Sequence, residues 1–587
     1  MSGKRPAAEP ASKDKLWDHR WGFADTRFVV NQDRSVTLTG KRYVLSGYKM
    51  HGLLPYVESV LGIQLDLQHP KAEIPLKPVP APNKSATFCQ AVERRFASEQ
   101  YSFDDRIRLL HSHGQTTSEE VCKVLYSQIQ RAVDMVFYCQ SDDDAVQIVA
   151  MAQEHSVCLV PFGGGTSVSC ALKLPRSETR MIVSVDMRRM DAIEWVDKDN
   201  YRACAQAGIT GSALEEGLSK YGFISGHEPD SMELSTLGGW IATNASGMKK
   251  NRYGNIERIV ENITMITPAG KLEQRQTAPR ASLGMQPQHL LFGSEGNLGL
   301  ITKAIIKIHP TPEIQKYGSL VFPTFESGVR FLKTLAGSGF VPASIRLVDN
   351  TQFRFGQALK PEPSGVGRLL GKIKKRYILN LRRFDPSEMV AATILMEGSR
   401  KEVRYQETNI YALARQFQGL SGGAESGQQG YLLTFAIAYI RDFLADFHVI
   451  GETFETSASW SDIHVICQEV KLRLQKEHKK HCLPGKPYFS CRITQIYRTG
   501  VCIYFMFGVY TKGVERAEEI FGQIEHALRQ AIIDNGGSIS HHHGVGKIRK
   551  DFMERTLSDS HIGLLKGVKK TNDPHNVFGI RNNVLSE

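Results

Sequence analysis

The 587-residue chain lacks any hydrophobic run long enough to cross a bilayer. Its longest apolar stretches are Gly430–Ile440, which Arg441 ends, and Val501–Tyr510. A transmembrane helix needs about 20 consecutive, mostly apolar residues. The sequence therefore predicts no membrane-spanning helix.

The ten cysteines form no CxxC pair, and the Cys/His spacings typical of zinc sites are missing. This pattern favours reduced, mostly buried thiols in an intracellular compartment, and it predicts no metal site. The formal net charge of +12 points to an anionic substrate, an anionic membrane surface or nucleic acid. Because zinc-finger, RNP-like and sustained basic-helix motifs are missing too, the sequence predicts no nucleic-acid partner.

Recognisable targeting signals are also missing. Residues 1–15 are polar, contain prolines and lack the apolar core of a secretory signal, so we expect a disordered tail there. The chain ends in Asn583–Glu587, which is not an SKL-type peroxisomal signal.

What the sequence does contain is an alternation of helices and strands from about residue 128 onward. Its length predicts two or three domains, and Pro310 and Pro312 mark a boundary. Ser141 and the three aspartates after it predict a helix start, since the apolar residues that follow, up to Ala152, recur at helical spacing. Further predicted elements are strands at 157–160, 181–186 and 300–308, helices at 212–221 and 520–531, and a hairpin over 491–510.

The most informative stretch is Pro161–Ser167, which reads Pro-Phe-Gly-Gly-Gly-Thr-Ser after an apolar run. Consecutive glycines let a ligand approach main-chain N–H groups, which can form an anion-binding concavity. Alone the stretch is weak, because many Gly-rich turns are plain loops. Two later stretches, Pro229–Ser246 and Gly293–Gly299, have the same small-residue character. None of the three is a Walker motif or a GxGxxG turn.

In this order and at about this spacing, the three stretches resemble the flavin-binding module of the vanillyl-alcohol-oxidase-like flavoproteins. Further motifs are similar to those of the alkyldihydroxyacetonephosphate synthase family, and the similarity runs from about Leu38 to Asn583. The motifs that carry it are 227–231, 245–256, 343–350, 430–442 and 540–547.

The resemblance implies an α+β fold. Residues 1–127 would form a tail and an accessory helical region, and residues 128–312 a two-subdomain FAD-binding domain of the vanillyl-alcohol-oxidase (PCMH) type. Residues 313–587 would form a cap and catalytic domain, with an antiparallel sheet flanked by helices.

It also implies an FAD-dependent, non-redox transferase of ether-lipid and plasmalogen synthesis. The acyl chain of 1-acyl-dihydroxyacetone phosphate would be exchanged for a long-chain fatty alcohol, through a covalent adduct at flavin N5, releasing a fatty acid. FAD would be bound noncovalently. The family further implies a homodimer on the lumenal side of the peroxisomal membrane, with dihydroxyacetone-phosphate acyltransferase as a partner.

The resemblance also implies roles for individual residues that match the motifs of the family. Tyr504 matches the acid/base tyrosine, and in an alternating strand it shares a face with Cys502 and Met506. Arg346 matches an arginine needed for activity, Arg441 one that contacts substrate, and His541, His542 and His543 an essential histidine run; if extended, the first and third histidines share a face. The expected FAD contacts are Pro161, Phe162, Gly163, Gly164, Gly165, Thr166, Ser167, Pro229, Asp230, Ser231, Met232, Glu233, Leu234, Ser235, Ala242, Thr243, Asn244, Ala245, Ser246, Glu295, Gly296, Asn297, Leu298, Gly299, Leu300 and Ile301.

Without the resemblance, the residues leave alternatives open on three points: the function, a metal site and the role of residues 368–383. A similar flavin module could serve a D-2-hydroxy-acid dehydrogenase or oxidase, or a flavin-loaded scaffold without catalysis. Consecutive histidines could bind a metal, although they lack a partner ligand at suitable spacing. The interleaved basic and apolar residues of 368–383 could lie on an anionic membrane or form a solvated loop.

Overall fold

The computed structural model describes residues 15–16, 18–73, 78–276, 278–360 and 382–585. The predicted tail at 1–15 lies outside these residues apart from Lys15. The basic segment at 368–383 also lies outside them, apart from Arg382 and Arg383.

The N-terminal part forms a small sheet and four helices. The sheet is antiparallel, with strands β1 (Phe28–Val30), β2 (Val36–Leu38) and β3 (Lys49–Met50). The helices are Leu53–Leu61, Ala86–Arg95, Asp105–Leu110 and Ser118–Tyr126. Apolar residues of the first helix pack with residues 436–449 of the later chain, so this part is built into the rest of the protein.

A four-stranded sheet follows, in the order β4-β5-β7-β6. Its strands are β4 (Tyr101–Ser102), β5 (Met135–Tyr138), β6 (Cys158–Phe162) and β7 (Ile182–Asp186), and the last three are parallel. The helix Asp142–Glu154 crosses from β5 to β6, and the Ser141 side chain caps it by accepting the Asp144 N–H. The predicted capping residue is confirmed.

A five-stranded antiparallel sheet lies next along the chain, in the order β12-β11-β13-β9-β8. Its strands are β8 (Ile193–Asp197), β9 (Arg202–Gln206), β11 (Val260–Thr267), β12 (Gly270–Leu272) and β13 (Leu300–Lys307); β10 (Phe223–Ile224) pairs with β14 (His309–Pro310) beside it. Its helices are Gly211–Ser219, Leu237–Thr243, Lys250–Tyr253 and Ile256–Ile259. Apolar residues of these helices and strands form one core.

The second half is built on a seven-stranded antiparallel sheet, in the order β18-β15-β17-β16-β20-β21-β19. Its strands are β15 (Ile314–Phe322), β16 (Ser344–Val348), β17 (Val390–Gly398), β18 (Leu420–Ser421), β19 (Val449–Ser459), β20 (Tyr488–Ile496) and β21 (Gly500–Tyr510). The predicted hairpin is β20–β21, and the largest core of the protein lies between this sheet and its helices. The helices of this half are Phe325–Ala336, Asn350–Ala358, Arg400–Gln416, Ala424–Leu432, Ile437–Ala445, Ile463–Lys480, Ala517–Asp534, Met553–Thr556 and Asp559–Asn572.

The end of the chain returns to the four-stranded sheet. The Leu159 N–H donates to the Val577 carbonyl, and Phe578 is buried in the core of that sheet. Residues 577–585 therefore lie beside the Gly-rich loops. No described helix combines the length and the apolar character needed to cross a membrane.

Candidate active site

One large cavity, of about 430 Å³, lies where the four-stranded, five-stranded and seven-stranded sheets meet the N-terminal helix Leu53–Leu61. All three Gly-rich stretches contribute to its wall, together with Tyr504, His542, His543, Arg346 and Arg441. The sequence-predicted residues, far apart in the chain, are thus brought together. His541 is not among the lining residues.

The Gly-rich loop follows β6, and its backbone is packed so closely that side chains are excluded. A Cβ added at Gly164 would lie 2.0 Å from the Leu234 carbonyl oxygen, and Gly165 has φ +67°, in the left-handed region. All seven residues from Pro161 to Ser167 line the cavity. This cradle of bare backbone fits a large, flat, phosphate-bearing cofactor such as FAD.

The other expected cofactor residues divide into two groups. Those lining the cavity are Pro229, Asp230, Ser231, Ser235, Ala242, Thr243, Ala245, Ser246, Glu295, Gly296, Gly299 and Ile301. Those not among the lining residues are Met232, Glu233, Leu234, Asn244, Asn297, Leu298 and Leu300. Asn297, for example, donates its side-chain amide to the carbonyls of Ser294 and Asn582 and is fully buried.

Tyr504 stands on β21 with its hydroxyl between two polar partners. The hydroxyl oxygen lies 3.2 Å from Thr453 Oγ1 and 3.3 Å from His543 Nε2. Burial raises the pKa of Tyr504 to about 12, although the nearby Arg492 guanidinium acts in the opposite direction. The phenol is therefore protonated at neutral pH, and His543 is placed to accept its proton.

The three histidines belong to a bend that wraps around the carboxylate of Glu455; we call residues 540–546 the histidine loop. Glu455 Oε1 accepts the Ser540 hydroxyl at 2.8 Å and the backbone N–H groups of His542 and His543 at 3.2 and 3.0 Å. Glu455 Oε2 accepts the backbone N–H of His541. Because the run is bent rather than extended, His542 and His543 face the cavity while His541 Nε2 turns to the Tyr497 hydroxyl, 2.6 Å away.

The ionisation of this group follows from its burial. Burial lowers the pKa of all three histidines, to about 3 for His541, so the imidazoles are neutral. Burial alone would raise the pKa of Glu455, but the Arg549 guanidinium and the N–H groups of the histidine loop keep it well below its ordinary value. The donated backbone N–H groups favour the same ionised form.

A second buried carboxylate, Glu295, holds the other end of the histidine loop. It accepts the N–H groups of Val545 at 2.6 Å and Gly546 at 3.0 Å, and the Asn583 side chain at 3.1 Å. The side chain of Glu295, a residue expected to contact FAD, therefore forms hydrogen bonds with the histidine loop.

The two expected arginines differ in how far their guanidinium groups are engaged. Arg441 donates to Asp442 Oδ1 and to the carbonyls of Gln115 and Thr116, which lie beside the Gly-rich loop. Arg346 reaches Thr434 Oγ1 and Asp230 Oδ1, the latter at 3.3 Å, and its Nε has no partner among the described residues.

A metal site is possible on distance alone, since Glu455, Cys502, His541 and His542 offer ligand atoms within 4.8 Å of one another. Both Glu455 oxygens, however, already accept N–H donors. Burial raises the pKa of the Cys502 thiol well above its usual range, which disfavours the thiolate that a metal requires. The arrangement supports a hydrogen-bonded loop rather than a metal centre.

Sequence reasoning missed three groups of residues at the site. Arg492 and Thr494 on β20 line the wall beside Tyr504. Glu455 holds the histidine loop, and no local motif marks it. The apolar arm of the cavity includes the N-terminal residue Trp21 and four residues of the helix Leu53–Leu61, namely Tyr56, Val57, Val60 and Leu61. The helical spacing of these four was the available signal.

Comparisons with known proteins agree with this geometry. Residues 133–274 match the family described as FAD binding domain, and residues 311–580 match FAD linked oxidases, C-terminal domain, which assigns FAD as the cofactor. An alkyldihydroxyacetonephosphate synthase of Caenorhabditis elegans is 43% identical over 97% of this chain and 95% of its own. One of Dictyostelium discoideum is 30% identical over 99% of this chain and 96% of its own.

A solved alkyldihydroxyacetonephosphate synthase structure superposes with a TM-score of 0.82 at 27% identity, covering 98% of this chain and 99% of the other. The fold class predicted from the sequence, α+β with a two-part FAD module and an antiparallel cap sheet, is confirmed. The chain belongs to the alkyldihydroxyacetonephosphate synthase family.

Proposed function

We propose that the protein exchanges the acyl chain of 1-acyl-dihydroxyacetone phosphate for a long-chain fatty alcohol, giving the 1-alkyl product and a fatty acid. Family membership supports the reaction class. The observation that carries it is the Tyr504 hydroxyl, in contact with His543 at the wall of a cavity formed by all three Gly-rich stretches.

FAD would be held by the backbone of 161–167 and by the cavity-lining residues of 229–246 and 295–301. When bound, FAD supplies the electron-accepting ring system that the substrate carbons need. The protein has to orient the substrate, exclude water and move protons.

Proton movement falls to Tyr504, His543 and Glu455, which lie in series. His543 Nε2 is 3.3 Å from the Tyr504 hydroxyl, and His543 Nδ1 is 3.6 Å from Glu455 Oε1, a distance at which the carboxylate acts through its charge rather than through a hydrogen bond. An ionised Glu455 favours the tautomer that carries its proton on Nδ1, which leaves Nε2 free to accept from the phenol. Tyr504 can then take a proton from one substrate group and return it to another.

The long chains require an apolar channel, and one arm of the cavity is lined by Val57, Val60, Leu61, Phe355 and Leu444. Burying alkyl chains there gains about 0.8 kcal/mol per methylene group. Polar residues of the cavity wall, among them Arg346 and Arg441, would bind the polar headgroup of the substrate or position the residues around it.

Several finer assignments rest on the family resemblance. We propose that FAD is bound noncovalently, that the product serves plasmalogen synthesis and that the enzyme is a homodimer on the lumenal face of the peroxisomal membrane. Dihydroxyacetone-phosphate acyltransferase would supply the acylated substrate. We also propose the division into residues 1–127, 128–312 and 313–587.

The test is a labelled-alcohol assay. The FAD-loaded protein should convert labelled hexadecanol and acyl-dihydroxyacetone phosphate to the ether product without an external electron acceptor. Tyr504→Phe should lower kcat at least 100-fold, as expected for loss of an acid/base group, while Tyr510→Phe on the same strand serves as the control. Flavin bleaching by D-2-hydroxy acids, with no ether product, would instead support the dehydrogenase.

A further inference from the structure

Arg492 is a buried cation that lacks a counter-ion. It lies on β20, is 7% exposed and lines the cavity. Its Nε has no hydrogen-bond partner, and within the described ranges its guanidinium forms neither a hydrogen bond nor an ion pair. A buried, unpaired charge is strongly disfavoured unless a ligand neutralises it.

Contacts with Tyr504 fix the orientation of Arg492. The two residues are directly opposite across the β20–β21 ladder, and the guanidinium carbon lies 4.4 Å from the ring centroid. A cation–π contact of this kind takes up no N–H group, so the donors of the guanidinium stay available for other partners.

Thr494, two residues further along the same strand, supplies a second polar group to the cavity wall. Its hydroxyl interacts with the Cys502 thiol, and no oxygen or nitrogen atom of the described residues forms a hydrogen bond with it. The pairing register of β20 and β21 shifts between Ile493 and Gln495, so Thr494 stands in a bulge. Bulges next to active sites commonly re-aim a side chain.

The charges around this position favour an anion. Arg346, Arg492 and Arg549 contribute three positive charges, whereas Asp230, which pairs with Arg346 at 3.3 Å, and Glu455 contribute two negative charges. The neighbouring His542 and His543 are neutral because burial lowers their pKa values. One positive charge is therefore left uncompensated.

We propose that Arg492, with the Thr494 hydroxyl, binds the phosphate group of the substrate. This inference rests on the proposed function. Both a phosphate and the carboxylate of the released fatty acid are oxyanions that a guanidinium can bind. The phosphate is favoured because Thr494, Gln495 and Ser246 make this part of the wall polar, whereas a fatty acid needs the apolar arm for its chain.

The first experiment compares acyl-dihydroxyacetone phosphate with acyl-dihydroxyacetone, which lacks the phosphate. Arg492→Gln should lower kcat/KM for the phosphorylated substrate about 100-fold, equal to about 2.8 kcal/mol, and should change the value for the other less than about threefold. Arg498→Gln, an exposed arginine on the same hairpin, is the control. An equal fall for both substrates, or no fall, would overturn the assignment.

The second experiment needs no turnover. Glycerol 3-phosphate should raise the melting temperature of the FAD-loaded wild-type protein but not that of Arg492→Gln, and Arg492→Lys should keep part of the shift. Without ligand, Arg492→Gln should melt at or above the wild-type temperature, because it removes an unpaired buried charge. A ligand-free variant that melts lower, a shift that survives in Arg492→Gln, or an Arg492-dependent shift with hexadecanoate instead would each contradict the proposal.

The two experiments separate the two claims. If the wild-type protein makes no ether product but its glycerol 3-phosphate shift depends on Arg492, the proposed function fails and the phosphate site stands. If it makes the product and that shift is independent of Arg492, only the site fails.

Discussion

Replacing Glu455 by glutamine should release the histidine loop. Glu455 Oε1 accepts three donors and Oε2 accepts the His541 N–H. In Glu455→Gln the three bonds to Oε1 lose their charge assistance, about 1 kcal/mol each, and an amide NH₂ faces the His541 N–H, which costs about 1–3 kcal/mol. Together these terms destabilise the loop by about 4–6 kcal/mol.

Hydrogen exchange measures this directly. Amides of residues 540–543 should exchange at least about 1,000-fold faster in Glu455→Gln than in the wild type, since each 1.4 kcal/mol is tenfold. Glu515→Gln, an exposed glutamate ahead of the helix Ala517–Asp534, is the control and should not change these rates. Unchanged exchange in Glu455→Gln would refute the view that the carboxylate holds the loop.

The same variant has a defined pH dependence. The folded protein holds the pKa of Glu455 well below its ordinary value. Its stabilisation is therefore complete above the unfolded pKa of about 4.3 and is lost as the pH falls through the lower folded value. The difference in exchange between wild type and Glu455→Gln should shrink below about pH 4; a difference that grew on acidification would contradict the assigned ionisation.

Three further predictions concern residues at the site or close to it. Gly164→Ala should yield protein with little bound FAD, read from flavin absorbance, because the added carbon would meet the Leu234 carbonyl at 2.0 Å; Gly563→Ala, with open space around it, is the control. Tyr497→Phe removes the 2.6 Å contact to His541 and should lower turnover by less than Tyr504→Phe does, and an equal loss would show that His541 takes part in proton transfer. Asp186→Asn should lower stability at pH 7 by about 3 kcal/mol. Burial alone would raise the pKa of Asp186, but Arg188 and His111 hold it below its ordinary value, so this loss should shrink progressively as the melting curves are taken below about pH 4.

Much of the fold could be predicted because local signals agreed with the final packing. The helix after Ser141, the strands on either side of the first Gly-rich loop and the β20–β21 hairpin all lie within a few residues of their predicted bounds. The expected alternation of β21 is seen in part, since Tyr504 and Met506 line the cavity while Ile503 and Phe505 belong to the core. Cys502, expected on the face of Tyr504, does not line the cavity, and Phe507 both lines it and belongs to the core.

The other features of the site could not be predicted, because they depend on contacts between residues that are far apart in the sequence. Glu455 sits in an ordinary alternating strand, and only the approach of residues 540–543 gives it a role. Arg492 lies in a strand whose cavity-facing position depends on its pairing with Tyr504 and on the bulge at Thr494. The bent course of the histidine run likewise follows from Glu455, so an assumption of extended backbone assigned the wrong pair of histidines to one face.

The two carboxylates that hold the histidine loop belong to different halves of the protein. Glu455 is part of the seven-stranded sheet, whereas Glu295 lies in the loop that leads into β13 of the five-stranded sheet. A hinge that swung these halves apart would have to tear the loop from one anchor and dismantle the proton-transfer group. We therefore expect substrate to enter and product to leave through a channel, without an opening movement of the two halves.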